Sequence, residues 1–528
     1  MGPSTADSDR VPGIVTLWKR WWSLLALAVA VGTGIVLRML VCGQSLVGDE
    51  MSTFWIVSHN SLSGVVTIVG SDAEITPPLY FLAAKLSSGL GSNPDLIRLP
   101  SMIAGIALIP VVQQIAVRLF DRRTSFIAAA IASLSPLLVY FSANARAYSM
   151  MMLFVAGAVL AVLLAVESGR KWWLAGYAVL IALAMYTHYT AIFAIGGFFI
   201  WAMWALPKMR VPLLIASIGG AALFLPWLPN WLNDLNSPTT DILSALQNPT
   251  LSSRWTVIQQ TVLLRTGTGT IDLFRRPDAM LFVATVAATA AVLLFRRFRQ
   301  GPIGFAPDSE FPRPAALALV LTLSAPVGAL ILGLTGTEVF GIREMATIWV
   351  GLPLLLAMLI SATGRNLAIV LSVTLLAGFT YGSAHLADEA KSGFAYKDLA
   401  AWIDRNAGAE DAILDDGHLT PSPSTPLDAY LPPGRPVYVL DLPADRPDYI
   451  EHLFDLPDQQ KLIDGAFSGN RKVFLTTIGG PVQYDPAAGL VSFGDVKDQI
   501  VIPKGWRVLR SKTFEGLNRL TVTEFGQS

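Results

Sequence analysis

The feature that most constrains this chain is a succession of long apolar runs separated by short charged turns. Residues 21–41, 99–120, 125–141, 149–166, 173–186, 191–206, 211–228, 280–295, 315–334, 347–360 and 367–381 each hold at most one Asp, Glu, Lys or Arg. A helix of roughly 20 apolar residues crosses a hydrocarbon core about 30 Å thick. Inside lipid no water satisfies a bare N–H or C=O, so runs of this length must be helical. Composition agrees: 53% of the 528 residues are hydrophobic and only 14% are charged, where a soluble domain carries about 25% charged residues. The expectation is a mainly α, polytopic membrane protein of about eleven spans.

Lys+Arg and Asp+Glu balance at 38 each, so net charge names no partner and implies no nucleic acid. The lone cysteine, Cys42, has no second cysteine to pair with. Lys19 and Arg20 precede the first run, which is long for a signal peptide and lacks a small-residue cleavage site before Asp49. It reads as a retained helix with a cytoplasmic N-terminus.

Charge distribution sets the expected topology. The apolar run 79–90 is short, holds Lys85 and follows Pro77-Pro78, so it reads as an interfacial helix. With it excluded as a span, five basic clusters fall on the N-terminal side of the membrane. They are Arg122-Arg123, Arg170-Lys171, Lys208 with Arg210, Arg296-Arg297 with Arg299, and Arg365. That is the positive-inside pattern of a plasma-membrane protein. The loops 43–98, 142–148, 187–190, 229–278 and 335–346 then gather outside, with the tail. Residues 1–383 are expected to form the transmembrane domain, with a juxtamembrane acidic loop at 43–97 and a long outer loop at 229–278.

Residues 384–528 differ in composition. A helix at 396–406, a second at 451–467, and strands at 412–416, 436–440, 472–478, 507–514 and 519–525 predict a soluble, extracytoplasmic α/β domain. A hairpin across Glu515-Gly516-Leu517-Asn518 closes it. Asp415-Asp416 and His418 follow a strand end and read as an ordinary polar loop.

Ionisable side chains at span ends are costly beside lipid and tend to mark function. The expected outer face carries Asp49-Glu50, Arg98, Arg146, His188 and Arg343. Asp49 and Glu50, in Val47-Gly48-Asp49-Glu50, stand where the first span meets water. An acid there serves as general base, or is simply a solvated loop end. Arg146 lies in Tyr140-Phe141-Ser142-Ala143-Asn144-Ala145-Arg146-Ala147-Tyr148, and Arg343 in Phe340-Gly341-Ile342-Arg343-Glu344. A guanidinium offers a planar fork of donors to phosphate oxygens. The plainer role for Arg343 is an ion pair with Glu344 or Glu338, or reaching to headgroups. His188, in Tyr186-Thr187-His188-Tyr189, equally suits an aromatic belt. Two arginines facing an acidic pair fit an anionic substrate. Too few ligands converge to predict a metal site, and no glycine-rich loop supports a nucleotide-sugar donor.

In order along the chain, these pieces resemble the GT-C membrane glycosyltransferases, in particular the family 39, ArnT-like and protein O-mannosyltransferase group. Asp49-Glu50 is similar to that group's acidic pair. Thr76-Pro77-Pro78-Leu79-Tyr80 resembles its juxtamembrane segment, with Thr76 where histidine is frequent. Arg98-Leu99-Pro100-Ser101 with Gly105, Leu119-Phe120-Asp121-Arg122-Arg123, Leu134-Ser135-Pro136 and Thr187-His188-Tyr189 follow in the family's order. Ala143-Asn144 stands where Gln-Glu is usual, and Glu344 where tyrosine is. The likeness is good over 21–199, weaker to 381 and vague in the tail.

The resemblance implies a GT-C fold and transfer of a sugar, with inversion, from a polyprenyl-phosphate donor to a cell-envelope glycan, lipid or protein. It implies Asp49 as base and Glu50 as its support or as a group orienting the acceptor. It implies Arg146 and Arg343 as clamps on the donor phosphate, and His188, Tyr189, Asn144, Tyr148 and Arg98 as pocket residues. No cofactor is required, although some relatives use a divalent metal. Two other classes compete. A lipid-linked-saccharide flippase would favour internal repeats and polar groups deep in spans, and neither stands out. An envelope scaffold would survive loss of Asp49, Arg146 and Arg343 together.

Overall fold

The computed structural model describes residues 12–71, 74–237, 240, 250–263, 276–301, 303, 311–391, 393–416, 425–440, 458–469, 471–493 and 498–527. Every apolar run named above falls on helix. Among the described residues, seven helical stretches are long and apolar enough to cross a membrane. Three apolar helices are shorter: Trp172–Thr187, Ala191–Ala205 and Ile348–Ser361. A further candidate span is broken, with Arg122–Leu134 and Pro136–Ser142 meeting at 55°.

That break follows from Ser135-Pro136. Proline has no N–H to give to the preceding turn, and its ring clashes with the carbonyl four residues back. Carbonyls freed inside a membrane need a donor. Arg38, fully buried in the Pro12–Val41 helix, supplies it. Its guanidinium donates to the carbonyls of Ser133 (3.2 Å), Ala132 (3.4 Å) and Gly34 (3.0 Å), and to Ser142 Oγ (3.0 Å). The Leu99–Leu119 helix packs against the bend at Gly105, where an added Cβ would lie 1.9 Å from Ser142 Oγ. The bend aims residues 143–147 into the candidate site.

The helix Leu79–Ser88 has 10 residues, about 15 Å at 1.5 Å per residue, and is too short to span. With Asp49–His59, Leu62–Val69 and a 3₁₀ turn at Pro94–Arg98 it builds a cap over one end of the bundle. Lys85 Nζ ties it to the carbonyl of Val57 at 2.7 Å.

Basic turns meet at the other end. Arg118 pairs with Glu167 at 2.8 Å, Arg123 donates to the Arg365 carbonyl, Thr124 Oγ1 lies 2.9 Å from Ser361 Oγ, and Arg296 reaches the Ala362 carbonyl at 2.5 Å. In the loop 229–278 only part is described. There Thr261, in the helix Leu251–Leu263, accepts from Trp349 Nε1 at 2.9 Å.

The last long helix runs Arg365–Lys391 and leads into the α/β unit. The strands are β1 (Ala412–Asp415), β2 (Val437–Val439), β3 (Val473–Ile478), β4 (Gln483–Asp485), β5 (Leu490–Phe493), β6 (Asp498–Val501), β7 (Trp506–Phe514) and β8 (Leu520–Gln527). The main sheet has the order β2-β1-β3-β8-β7. β1 pairs in parallel with β2 and β3, and the β7–β8 hairpin adds antiparallel with one bulge. The expected helix at 396–406 is Tyr396–Asn406. Of the expected helix at 451–467, residues 451–457 lie outside the described residues and Gln459–Ala466 is helical. His418 also lies outside them.

A second sheet, β4-β5-β6, was not expected, because its strands are only three or four residues long. The unit docks on the cap. Lys397 Nζ pairs with Asp95 (2.6 Å) and donates to the Gly43 carbonyl (2.8 Å), while Ser45 Oγ donates to the Phe394 carbonyl (2.6 Å).

Candidate active site

The site begins at Gly48, whose φ of 58° lies where a Cβ would be strained. That conformation turns the chain from the first span into the helix Asp49–His59. Asp49 and Glu50 are its first two residues. Neighbouring helical positions point about 100° apart, so the acidic pair divides.

Glu50 turns inward. Arg98 grips it bidentately, Nε to Oε1 at 2.7 Å and Nη2 to Oε2 at 2.5 Å, with side chains 0% and 2% exposed. The rest of the guanidinium donates to the carbonyls of Cys42 (2.8 Å), Gln44 (2.7 Å) and Ser45 (3.2 Å). Glu50 Oε1 also accepts from the Ala145 N–H at 2.7 Å. This corrects two expectations. Glu50 has no open face from which to orient an acceptor, and Arg98 lines no pocket. Together they fasten the first span, the acidic helix and the 143–147 loop. Burying either charge alone would be costly, which is why they are buried as a pair.

Asp49 turns outward. Its Oδ2 lies 2.8 Å from Arg343 Nη2, with side chains 37% and 51% exposed. Neither sequence-proposed partner of Arg343 holds it this way. Glu338 instead pairs with Arg254 at 2.5 Å. Burial pushes the Glu344 carboxyl above the usual range.

Arg146 is held from several sides. Thr53 Oγ1 donates to the Ala145 carbonyl at 3.0 Å, and Ser101 Oγ to that of Arg146 at 2.8 Å. Its guanidinium lies 5.7 Å from the centre of the Phe81 ring. It donates to Glu74, Nη1 to Oε2 at 2.9 Å and Nη2 to Oε1 at 3.4 Å, and to Thr76 Oγ1 at 3.2 Å. Burial works against its charge, but Glu74 together with Tyr148 and Asp49 outweighs that and keeps the group well above its ordinary pKa. Arg146, expected as a clamp on the donor phosphate, thus already has a carboxylate partner in Glu74. Sequence reasoning missed Glu74. The available signal was an acid two residues before Thr76-Pro77-Pro78, on the face already expected to carry the site.

His188 and Tyr148 join the same cluster. Their rings are 5.5 Å apart, and Tyr148 also packs on Phe141 at 4.7 Å. His188 Nδ1 lies 2.9 Å from Thr190 Oγ1 and accepts from the Thr190 N–H at 3.3 Å. Burial, followed by the nearby charges of Arg146 and Arg343, pushes the imidazole down to about 3. It is neutral at physiological pH, beside two cations. Tyr189 is committed elsewhere. Its hydroxyl donates to Asp234 and accepts from Trp227 Nε1 at 3.0 Å. Asn144 Oδ1 is shielded from solvent without a hydrogen-bond partner among the described residues.

The site thus brings together Asp49, Arg343, Arg146 with Glu74 and Thr76, His188 and Tyr148. It sets apart Glu50 and Arg98 as a buried brace, with Tyr189 turned to Asp234. Among the described residues no three His, Cys, Asp or Glu side chains converge as a metal site. A carboxylate with an exposed edge, a half-exposed cation on it and a second cation behind is suited to binding an anion and taking up a proton.

Residues 76–230 match the family model described as dolichyl-phosphate-mannose-protein mannosyltransferase. The chain is similar in structure to ArnT from Cupriavidus metallidurans in the apo state, with a TM-score of 0.60 and 13% identity over 96% of this chain and 98% of that one. Against the same protein bound to undecaprenyl phosphate the TM-score is 0.56, with 13% identity over 95% and 98%. The apo oligosaccharyltransferase of Archaeoglobus fulgidus is more distant, with a TM-score of 0.44 and 14% identity over 87% and 70%. No curated protein sequence matches the chain significantly. The fold expected from the resemblance is the fold observed.

Proposed function

We propose that this chain is a GT-C membrane glycosyltransferase that moves a sugar from a polyprenyl-phosphate donor to a cell-envelope glycan, lipid or protein, with inversion. The observation that carries the proposal is the half-exposed pair of Asp49 and Arg343 at 2.8 Å, beside Arg146 and a neutral His188. The match of residues 76–230 to a dolichyl-phosphate-mannose-dependent family supports this donor class, and the undecaprenyl phosphate held by the structurally similar ArnT is a molecule of the same chemistry.

At rest Arg343 covers Asp49. An arriving donor phosphodiester competes for that guanidinium with its two non-bridging oxygens, and charge-assisted hydrogen bonds to phosphate are strong. Arg343 then moves from carboxylate to phosphate, and Asp49 is uncovered only when donor is bound. The acceptor hydroxyl attacks the anomeric carbon on the face opposite the phosphate. The new C–O bond forms as the anomeric C–O bond to phosphate breaks. The bond's electron pair leaves on the polyprenyl phosphate, and the acceptor's proton goes to Asp49. Arg343 and Arg146 stabilise the departing phosphate. Uncharged His188 and the Tyr148 ring line the sugar's side without competing for it. The leaving group is already a stable anion, so no general acid is required.

The basic turns meet at the end of the bundle away from this site, and the positive-inside pattern supports a cytoplasmic place for that end. Under that orientation the site and the docked α/β unit face outward from the plasma membrane.

The test is a panel of polyprenyl-phosphate sugars offered to the purified protein in lipid nanodiscs, scoring hydrolysis or transfer. The wild type should turn over at least one, and a folded Asp49→Asn variant none. Full activity in that variant removes Asp49 as base. Inertness of the folded wild type toward the whole panel removes the donor class.

A further inference from the structure

At the opposite end of the bundle a groove of about 800 Å³ lies between the helices Arg122–Leu134 and Arg365–Lys391. Its mouth carries three arginines, Arg122, Arg123 and Arg365, and its walls are apolar, Phe126 and Ile369 among them. The Leu99–Leu119 helix, which starts at the Asp49 end and finishes at this one, has 21 residues. That is about 31 Å of rise, so this groove is no part of the catalytic site.

We propose that the groove seats an anionic diacyl phospholipid of the surrounding membrane. The headgroup phosphate would rest on Arg122, Arg123 and Arg365, with one acyl chain along the Phe126 and Ile369 wall. Three observations carry this. Three arginines at the ends of two helices line one groove, and basic pockets between spans recruit anionic headgroups. The nearest carboxylate in the turn, Asp121, caps the helix by accepting the Thr124 N–H at 2.6 Å, so it is engaged locally. Deeper in the groove the Ser372 hydroxyl is shielded, 8% exposed, and without a hydrogen-bond partner among the described residues. A buried hydroxyl left so is costly, and the ester carbonyl of a lipid would satisfy it. Arg123 already donates to the Arg365 carbonyl, which pins the two helix ends and fixes the spacing of the mouth.

The test is native mass spectrometry of protein released from nanodiscs containing phosphatidylglycerol and phosphatidylcholine in equal amounts. The wild type should retain phosphatidylglycerol in preference, about one molecule per chain. Arg122→Gln with Arg365→Gln, leaving the pinning Arg123 in place, should lower that retention at least tenfold. Ser372→Phe, which fills the groove but keeps all three arginines, should lower it too and serves where the double variant fails to fold. Equal retention of both lipids by the wild type, unchanged retention in either folded variant, or displacement by equimolar polyprenyl phosphate overturns the proposal. None of these readouts depends on transferase activity.

Discussion

Arg343 Nη2 stands 2.8 Å from Asp49 Oδ2, so the candidate base and a candidate phosphate-binding cation are each other's partner at rest. If the donor phosphate takes Arg343 from Asp49, the two residues act in one step. Removing either should then cost much of what removing both costs. Arg343→Gln is expected to lower kcat/KM by about 10²-fold, in the range found for a lost transition-state donor. Asp49→Asn should lower it by roughly 10²–10⁴-fold. The double variant should fall near the weaker single, not at the product of the two losses. Steady-state transfer rates of the four proteins decide this, and a multiplicative double variant would show independent roles.

Glu50 and Arg98 predict the opposite kind of effect. Both are buried, and their pair holds three backbone carbonyls and the Ala145 N–H in place. Glu50→Gln leaves the buried guanidinium with only the longer Asp95 contact at 3.5 Å, and breaking a buried pair costs about 3–5 kcal/mol. Asp49→Asn removes only a half-exposed ion pair, worth about 0–1 kcal/mol. Thermal unfolding in one detergent should therefore show a large drop for Glu50→Gln and almost none for Asp49→Asn. Equal drops would return Glu50 to a role at the surface of the site.

The two adjacent acids mark what the sequence makes legible and what it does not. Apolar length located the long membrane helices but not the short ones Asp49–His59, Leu62–Val69 and Leu251–Leu263, and β-branched and aromatic runs located the strands of the main sheet. Location near the site was also legible, because charge at span ends is expensive. Pairing was not. Whether Arg343 meets Glu344, Glu338 or Asp49 depends on how a loop after one span crosses another, which no local pattern encodes. The inward turn of Glu50 follows from the helix phase that Gly48 sets, one residue before the acids. Glu74 was passed over because a single acid beside a proline pair has no period to mark it, and only its place on the outer-face loop pointed to it. The β4-β5-β6 sheet was missed because strands this short carry too few residues to show alternation.

Glu74 supports a third expectation. It occupies two donors of Arg146, the cation behind the Asp49–Arg343 pair. Glu74→Gln keeps the shape and removes the competing charge. Binding of polyprenyl phosphate, measured as product inhibition, should tighten about tenfold, equivalent to roughly one charged hydrogen bond of 1.5 kcal/mol. Weaker binding in that variant would make Glu74 the residue that aims Arg146, not one that competes for it.

His188 gives the chain a pH signature separable from its chemistry. Its ring is pushed down to about 3, first by burial and then by Arg146 and Arg343, whereas an unfolded histidine titrates near 6.5. Above about 6.5 both states are neutral and His188 adds no pH dependence. As pH falls from there toward about 3 the unfolded chain takes up a proton that the folded one refuses, so stability is lost, at most about 1.4 kcal/mol per unit. Between about pH 7.5 and 5.5 the wild type should lose roughly 1 kcal/mol more than His188→Gln. Other acid-labile groups contribute to both proteins and cancel in the comparison. The measurement is denaturant unfolding of each at the two pH values. Parallel losses would mean that His188 protonates in the folded state, and it would then stand as a third cation beside the donor phosphate.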